Sequence, residues 1–105
     1  MNLYRIWQGQ NCSYDTYDSA VVAAESEDGA RLIHPSSLES DNPYMWSPET
    51  QKWQFSYVAT YDGQTRVASD SGQWANSPQG VKVELIGVAV DGTEEGVICA
   101  SFNAG

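Results

Sequence analysis

The chain is poor in the side chains that most catalytic sites use. Its 105 residues include one histidine, His34, and two cysteines, Cys12 and Cys99. The sequence has no Cys/His spacing typical of zinc and no glycine-rich phosphate-binding loop. His34 is expected to cap a helix or to lie at the surface, and Cys12 has no neighbouring Lys, Arg or second His to activate it. We therefore expect a protein that is not an enzyme and holds no metal or other cofactor.

Positive charge is also scarce. Five Lys and Arg stand against 14 Asp and Glu, which gives a formal net charge of −9. That charge would repel nucleic-acid phosphates and anionic lipid surfaces. The composition therefore predicts no direct contact with nucleic acid or membrane, and it favours a basic host protein or nucleoprotein complex as the partner.

Long apolar runs are missing as well. No stretch approaches the roughly 20 residues of a membrane helix, and residues 1–10 lack the apolar core of a signal peptide. These features predict a cytoplasmic protein, in which Cys12 and Cys99 are expected to be free thiols. Since 41% of the residues are hydrophobic, we expect residues 1–105 to fold as a single α+β domain.

A strand followed by a helix is the clearest local signal. Residues 19–24 are apolar and contain two adjacent valines, which favour a buried strand. Ser26 is a candidate N-cap with two acids in the following turn, and Pro35 should end the helix within about three turns. Gly29 lies inside this helix, so replacing it with alanine should stabilise the fold.

Alternating apolar and polar residues predict the remaining strands. These cover residues 3–8, 53–61, 64–68, 81–88 and 97–102. We expect antiparallel pairing of the first two strands and of the last two, a two-residue turn at Asp62-Gly63, and a long ordered loop over residues 35–52. Cys99 should face the core or a covered surface. The predicted fold is α+β, mainly an antiparallel sheet of five or six strands with one short helix packed on one face.

Aromatic residues are abundant, with six Tyr, four Trp and two Phe. Trp7, Trp53 and Phe102 are expected to cover the core, because a single helix hides only part of one sheet face. Aromatic residues in loops beside carboxylates can also anchor a partner rich in Arg and Lys. The candidate partner-binding residues are Tyr14, Asp15, Tyr17, Asp18, Tyr44, Trp46 and Trp74.

Two stretches carry a family resemblance. The phrase VVAAESEDGARLIHP resembles a strand–helix unit of small phage-encoded and mobile-element proteins, and VKVELIGVAV with GVICASFNAG is similar to the ends of some of them. The resemblance implies a small acidic inhibitor of host machinery, of the anti-CRISPR or another anti-defence type, acting in the host cytoplasm. The acids here are interleaved with hydrophobic residues and form no dense rows, so mimicry of DNA is not expected.

Three functional hypotheses follow from these observations. The first is a phage-type protein that binds and inhibits a host nucleic-acid-handling complex through an acidic, aromatic surface. The alternative is a non-enzymatic accessory or structural homo-oligomer of phage origin, for example a homodimer, that buries an uncovered sheet face. An enzyme acting through Cys12 or a carboxylate is the least favoured.

Overall fold

Two antiparallel sheets form the body of the protein. The computed structural model describes residues 1–38 and 43–104. The larger sheet has the strand order β6-β1-β2-β7, formed by β1 Asn2–Trp7, β2 Thr16–Ala24, β6 Lys82–Val88 and β7 Gly96–Asn103. The smaller sheet has the order β3-β4-β5, formed by β3 Met45–Ser47, β4 Lys52–Val58 and β5 Thr65–Ser69. Helix α1 spans Glu27–Arg31, and 3₁₀ helices span Pro35–Leu38 and Pro78–Gly80.

The larger sheet buries one aliphatic face. Ile6 pairs with Ala20 and Tyr4 pairs with Val22, so these side chains share a face. Ile6 and Val22 have no exposed surface, and Ala30 of α1 lies in the same core. The alternation along β1 therefore determines which of its side chains are buried, whereas β2 buries the consecutive residues Val22, Ala23 and Ala24. The predicted antiparallel pairing of these strands is confirmed.

Helix α1 begins where the sequence predicted. The Ser26 hydroxyl accepts a hydrogen bond from the Gly29 N–H at 3.1 Å, which satisfies one of the donors left free at the helix start. The helix ends at Arg31, within the predicted length. In the part of the chain that the structure describes, no helix is long and apolar enough to cross a membrane.

Aromatic rings line one face of the smaller sheet. Trp53, Phe55 and Tyr57 alternate along β4 and therefore point to the same side. The ring centroids of Trp53 and Trp46 lie 5.3 Å apart, and those of Phe55 and Tyr44 lie 5.1 Å apart. Trp53 is buried, whereas Tyr57 is 39% exposed. The aromatic face is thus covered near the core and open at its far end.

The division into two sheets corrects the prediction of one sheet with five or six strands. The last strand, β7, pairs with β2 and not with β6, as the pair Val21 and Cys99 shows. The β1–β2 hairpin has two open edges, and β6 and β7 occupy one each. Pairing β6 with β7 directly would have left one of those edges without hydrogen-bond partners.

Two predictions about the loops and one about Cys99 are also corrected. Residues 60–63 connect β4 to β5, because Ala59 and Gln64 still bond across the hairpin, so the turn is longer than two residues. Gly63 has a positive φ of 70°, while Asp62 uses its carboxylate to accept from the Gln64 N–H.

The predicted loop over residues 35–52 contains β3 and a 3₁₀ helix, and its residues 39–42 lie outside the described part of the chain. Cys12 and Cys99 are free thiols, as predicted. Cys99 is nevertheless exposed, because it pairs with Val21 on the face opposite to the core.

Candidate partner-binding site

A buried glutamine organises the loop between β1 and β2. Gln8 is 5% exposed, and its side-chain Nε2 donates to the carbonyls of Asn11 at 2.7 Å and Tyr17 at 2.9 Å. Its Oε1 accepts from the N–H groups of Gln10 and Asn11. All of these bonds bring the loop back onto one side chain. Sequence reasoning missed this role, since a glutamine at the end of a predicted strand normally indicates solvent exposure.

Backbone hydrogen bonds hold the same loop against two neighbouring segments. The Asp15 N–H donates to the Asn103 carbonyl at 2.6 Å, and the Tyr17 N–H donates to the Gln73 carbonyl at 2.7 Å. Asp15 adopts the left-handed conformation with φ 60°, which Asp and Asn tolerate better than most residues. Tyr14, just before it, is 73% exposed. The tyrosine is therefore presented to solvent from a well-tied loop.

These contacts form an open cleft of about 440 Å³, which we call the tyrosine cleft. It is lined by Ser13, Tyr14, Asp15, Thr16, Ser71, Gly72, Gln73 and Phe102. Phe102, which was expected to cover the core, packs on the buried Tyr17 ring and is 43% exposed, since it lies near the end of the edge strand β7. The cleft thus combines two accessible rings, one exposed carboxylate, and hydroxyl and amide groups.

The structure separates the predicted binding residues into three groups. Tyr14, Asp15 and Asp18 are exposed. Tyr44 and Trp46 are half-buried on the smaller sheet and pack partly against the core.

The two other predicted rings cannot be offered to a partner. Tyr17 is 5% exposed and packs against Phe102 with ring centroids 4.8 Å apart. Trp74 has no exposed surface. Both rings complete the core that the short helix α1 leaves uncovered, which the polar sequence around them did not reveal.

A second, more apolar groove runs along the smaller sheet. Its volume is about 740 Å³, and Met45, Trp46, Phe55 and Val67 are among its lining residues. Met45 is 68% exposed and Val67 is 57% exposed. Glu49 is the charged residue in this lining. Of the predicted residues, the groove contains Trp46, so the structure does not place all the candidate rings in one site.

His34 lies at the junction of the two sheets. It is 1% exposed, and its ring contacts those of Tyr17, Tyr44, Trp53 and Trp74. Its Nε2 lies 2.8 Å from the Asp70 carboxylate, while its Nδ1 accepts from the Ser36 N–H at 3.1 Å. Since Nδ1 is an acceptor, Nε2 carries the proton that is donated to Asp70. His34 was expected to cap a helix or to lie at the surface, and its burial shows that the surface position is wrong.

The contacts of His34 resemble a Ser–His–Asp relay, because the Ser36 hydroxyl lies 2.7 Å from Nδ1. The same nitrogen also caps the 3₁₀ helix Pro35–Leu38 through the Ser36 N–H. Burial alone would raise the pKa of Asp70, but hydrogen bonds from His34 and from the Gln73 and Gly72 amides hold it below its usual value. The hydrogen bonds of His34 with Ser36 and Asp70 therefore form a buried link between the two sheets.

Carboxylates are concentrated at one end of the larger sheet. Every described Asp and Glu except Asp70 is exposed. The register places the ends of β2 and β6 and the start of β7 together, because Ala24 and Val88 both pair with Asn2 and Gly96 pairs with Ala23. The segments that follow or precede these points carry Glu25, Glu27, Asp28, Asp91, Glu94 and Glu95. These acids are dispersed in the linear sequence, and the fold brings them together at one end of the larger sheet.

Another exposed tyrosine of this chain, Tyr61, already contacts an arginine, Arg66. The Arg66 guanidinium forms an ion pair with Asp62, and its central carbon lies 5.2 Å from the centroid of the Tyr61 ring. Tyr61 is 80% exposed. A Tyr-Asp dipeptide in the hairpin loop thus binds a guanidinium through its ring and its carboxylate.

Comparison of the chain with protein-family models, with curated proteins and with solved structures finds no match. The function is therefore inferred from the chemistry of these surfaces and from the sequence resemblance described above.

Proposed function

We propose that this is a phage-type, non-enzymatic protein that binds and inhibits a host nucleic-acid-handling defence complex by occupying its basic surface. The tyrosine cleft is the contact site in this proposal. The observation that carries it is the juxtaposition of exposed Tyr14 and Asp15 with Phe102 around an open cleft. The net charge of −9 and the resemblance to phage-encoded proteins support the same direction.

The chain contains the dipeptide Tyr-Asp three times, at residues 14–15, 17–18 and 61–62. The ring of the second is in the core, and the third already binds Arg66. Within the described residues, Tyr14 and Asp15 have neither an ion pair nor a cation–π partner. An arginine from another protein could therefore bind at the first dipeptide as Arg66 binds at the third.

Arginine suits this cleft better than a bare positive charge. Its planar guanidinium can stack on an aromatic ring and donate to a carboxylate at the same time. A cation–π contact contributes about 0.5–2 kcal/mol, and a hydrogen bond to a charged group contributes about 1.5–3 kcal/mol. Because the loop is tied by Gln8 and by two backbone bonds, little ordering entropy is lost on binding.

The first experiment is a pull-down from host lysate at low and moderate salt. We compare the wild-type protein with the double variant Tyr14→Ala/Asp15→Asn, in which asparagine keeps the left-handed backbone favourable. The matched control is Tyr61→Ala/Asp62→Asn, which changes the same dipeptide elsewhere on the surface. We expect a basic nucleic-acid-handling complex with the wild type and the control, and its loss with the cleft variant.

The captured complex is then purified and its nucleic-acid binding is measured with each variant added. The wild type and the control should inhibit, and the cleft variant should inhibit at least tenfold more weakly, since tenfold corresponds to about 1.4 kcal/mol. Capture of no basic partner at either salt concentration would remove the proposal. Equal inhibition by all three proteins would remove the cleft from it.

A further inference from the structure

Strand β6 forms a free edge of the larger sheet. It pairs with β1 on one side, and no strand pairs with its other side in the described part of the chain. Its aliphatic side chains are largely accessible, with Leu85 58%, Ile86 48% and Val88 75% exposed. A seven-residue edge of this kind can accept a further strand, because β6 pairs with a neighbouring strand on one side only among the described residues.

The direction of the free main-chain groups follows from the contacts of Val81. Its carbonyl accepts a hydrogen bond from the Arg31 Nε at 3.3 Å, so it points away from β1. The main-chain groups of alternate strand residues point to the same side. By this alternation the N–H and C=O of Val83 point to the open edge, while those of Lys82 and Glu84 point to β1.

The sequence around Val83 is complementary to itself in the antiparallel direction. With a two-fold axis at Val83, Lys82 of one copy lies opposite Glu84 of the other, and Val81 lies opposite Leu85. Lys82 and Glu84 are both exposed, and neither forms an ion pair with any described residue. Cross-strand pairs of opposite charge stabilise a sheet, and like charges in the same positions destabilise it.

We propose that two copies of this chain associate through β6, antiparallel about Val83, so that their larger sheets form one continuous sheet. The contact is isologous, since each Lys82 meets the Glu84 of the other copy. A register shift where Leu3 and Tyr4 meet β6 interrupts the regular ladder beyond Leu85, which limits the pairing to a few residues. A contact of this size is typical of weak, transient association. The inference is independent of the tyrosine cleft.

Sedimentation velocity over a concentration series tests the pairing. The wild type should change from monomer to dimer between micromolar and millimolar concentration. Lys82→Glu and Glu84→Lys each place like charges opposite one another, so each variant alone should dimerise at least tenfold more weakly. An equimolar mixture of these two variants should recover the wild-type association, because the acidic pair of one then faces the basic pair of the other.

The charge changes separate this pairing from a simple effect of net charge. Glu84→Lys reduces the net negative charge, so a pure repulsion model predicts stronger association, whereas the edge pairing predicts weaker association. Lys52→Glu is the matched control for Lys82→Glu, since it makes the same charge change at an exposed residue of β4 and should leave dimerisation nearly unaffected. A wild type that stays monomeric at millimolar concentration, or a mixture that fails to recover, would overturn the proposal. Circular dichroism of each variant confirms that it is folded.

Discussion

The two sheets of this protein are stabilised in different ways. The larger sheet buries small aliphatic side chains such as Ala20, Val22 and Ala24 against α1 and the loops. The smaller sheet has few buried side chains of its own, and its Trp53 reaches the shared core. A few large aromatic rings thus stabilise the smaller sheet, whereas many aliphatic contacts stabilise the larger one.

The comparison explains why the junction at His34 matters. Its ring touches Tyr17, which belongs to the larger sheet, and Trp53, which belongs to the smaller sheet. Its hydrogen bond to Asp70 ties the segment after β5 to the segment after α1. The stability of the smaller sheet should therefore depend on this junction more strongly than that of the larger sheet.

The largest expected effect comes from removing the His34 junction, which tests whether the smaller sheet depends on it more than the larger sheet does. In His34→Ala the buried Asp70 carboxylate loses its ring donor and the surrounding rings lose a contact. We expect a loss of about 3 kcal/mol in the free energy of unfolding, measured by urea denaturation. With Trp7 of the larger sheet replaced by phenylalanine in both proteins, the remaining tryptophans lie in the smaller sheet and the shared core. Their fluorescence should change at lower urea than far-UV circular dichroism.

The matched control for that variant is Ser36→Ala. It removes the hydroxyl from Nδ1 but leaves the Ser36 N–H as a donor to the same nitrogen, so we expect a loss below about 1 kcal/mol. Equal losses of unfolding free energy in the two variants would contradict the stabilising role of the His34 junction.

Acid should weaken the same junction without any substitution. The pKa of Asp70 is lower in the folded protein than its unfolded value of about 4. Its ionised form therefore contributes stability above that pH, and the contribution is lost as the pH falls towards the folded pKa. Urea midpoints measured from pH 6 to pH 2.5 should fall more steeply for the wild type than for Asp70→Asn. Parallel curves for the two proteins would refute this assignment.

A pair of tryptophans gives a finer comparison within the shared core. Trp53 Nε1 donates to the Ala75 carbonyl at 2.9 Å, whereas Trp74 Nε1 has no hydrogen-bond partner among the described residues. Both rings are buried, so phenylalanine removes a similar volume from each. Trp53→Phe should lose about 1 kcal/mol more unfolding free energy than Trp74→Phe, because it also breaks a buried hydrogen bond. Thermal and urea unfolding of both variants measure the difference, and the reverse order would show that packing dominates.

The smallest expected effect concerns helix α1, which packs against the larger sheet. A Cβ at Gly29 would lie 3.4 Å from the Ser26 hydroxyl oxygen, which is an ordinary contact. Gly29→Ala should therefore raise the unfolding free energy by about 0.5–1 kcal/mol through a less flexible unfolded chain. Circular dichroism in urea measures the gain. Unchanged or lower stability would mean that the added methyl group disturbs the Ser26 cap.

Local patterns predicted much of the larger sheet and little of the candidate site. The Ser26 cap, the alternation in β1 and the apolar run in β2 depend on residues close in sequence, so they could be read before the fold was known. Tyr14 and Tyr17 stand in the same polar loop, yet one is exposed and the other is buried. Their difference depends on contacts with the distant Gln73 and His34, which the sequence does not indicate.

The sequence by itself determined the strand segments other than β3, the helix start and the negative charge, because periodicity, capping and ionisation are local properties. The tertiary structure decided that β7 joins β2, that the strands divide between two sheets, and that His34 is buried against Asp70. Those outcomes depend on which open edges and aromatic faces compete for one another in three dimensions. That competition involves residues far apart in the chain, so no local pattern could resolve it.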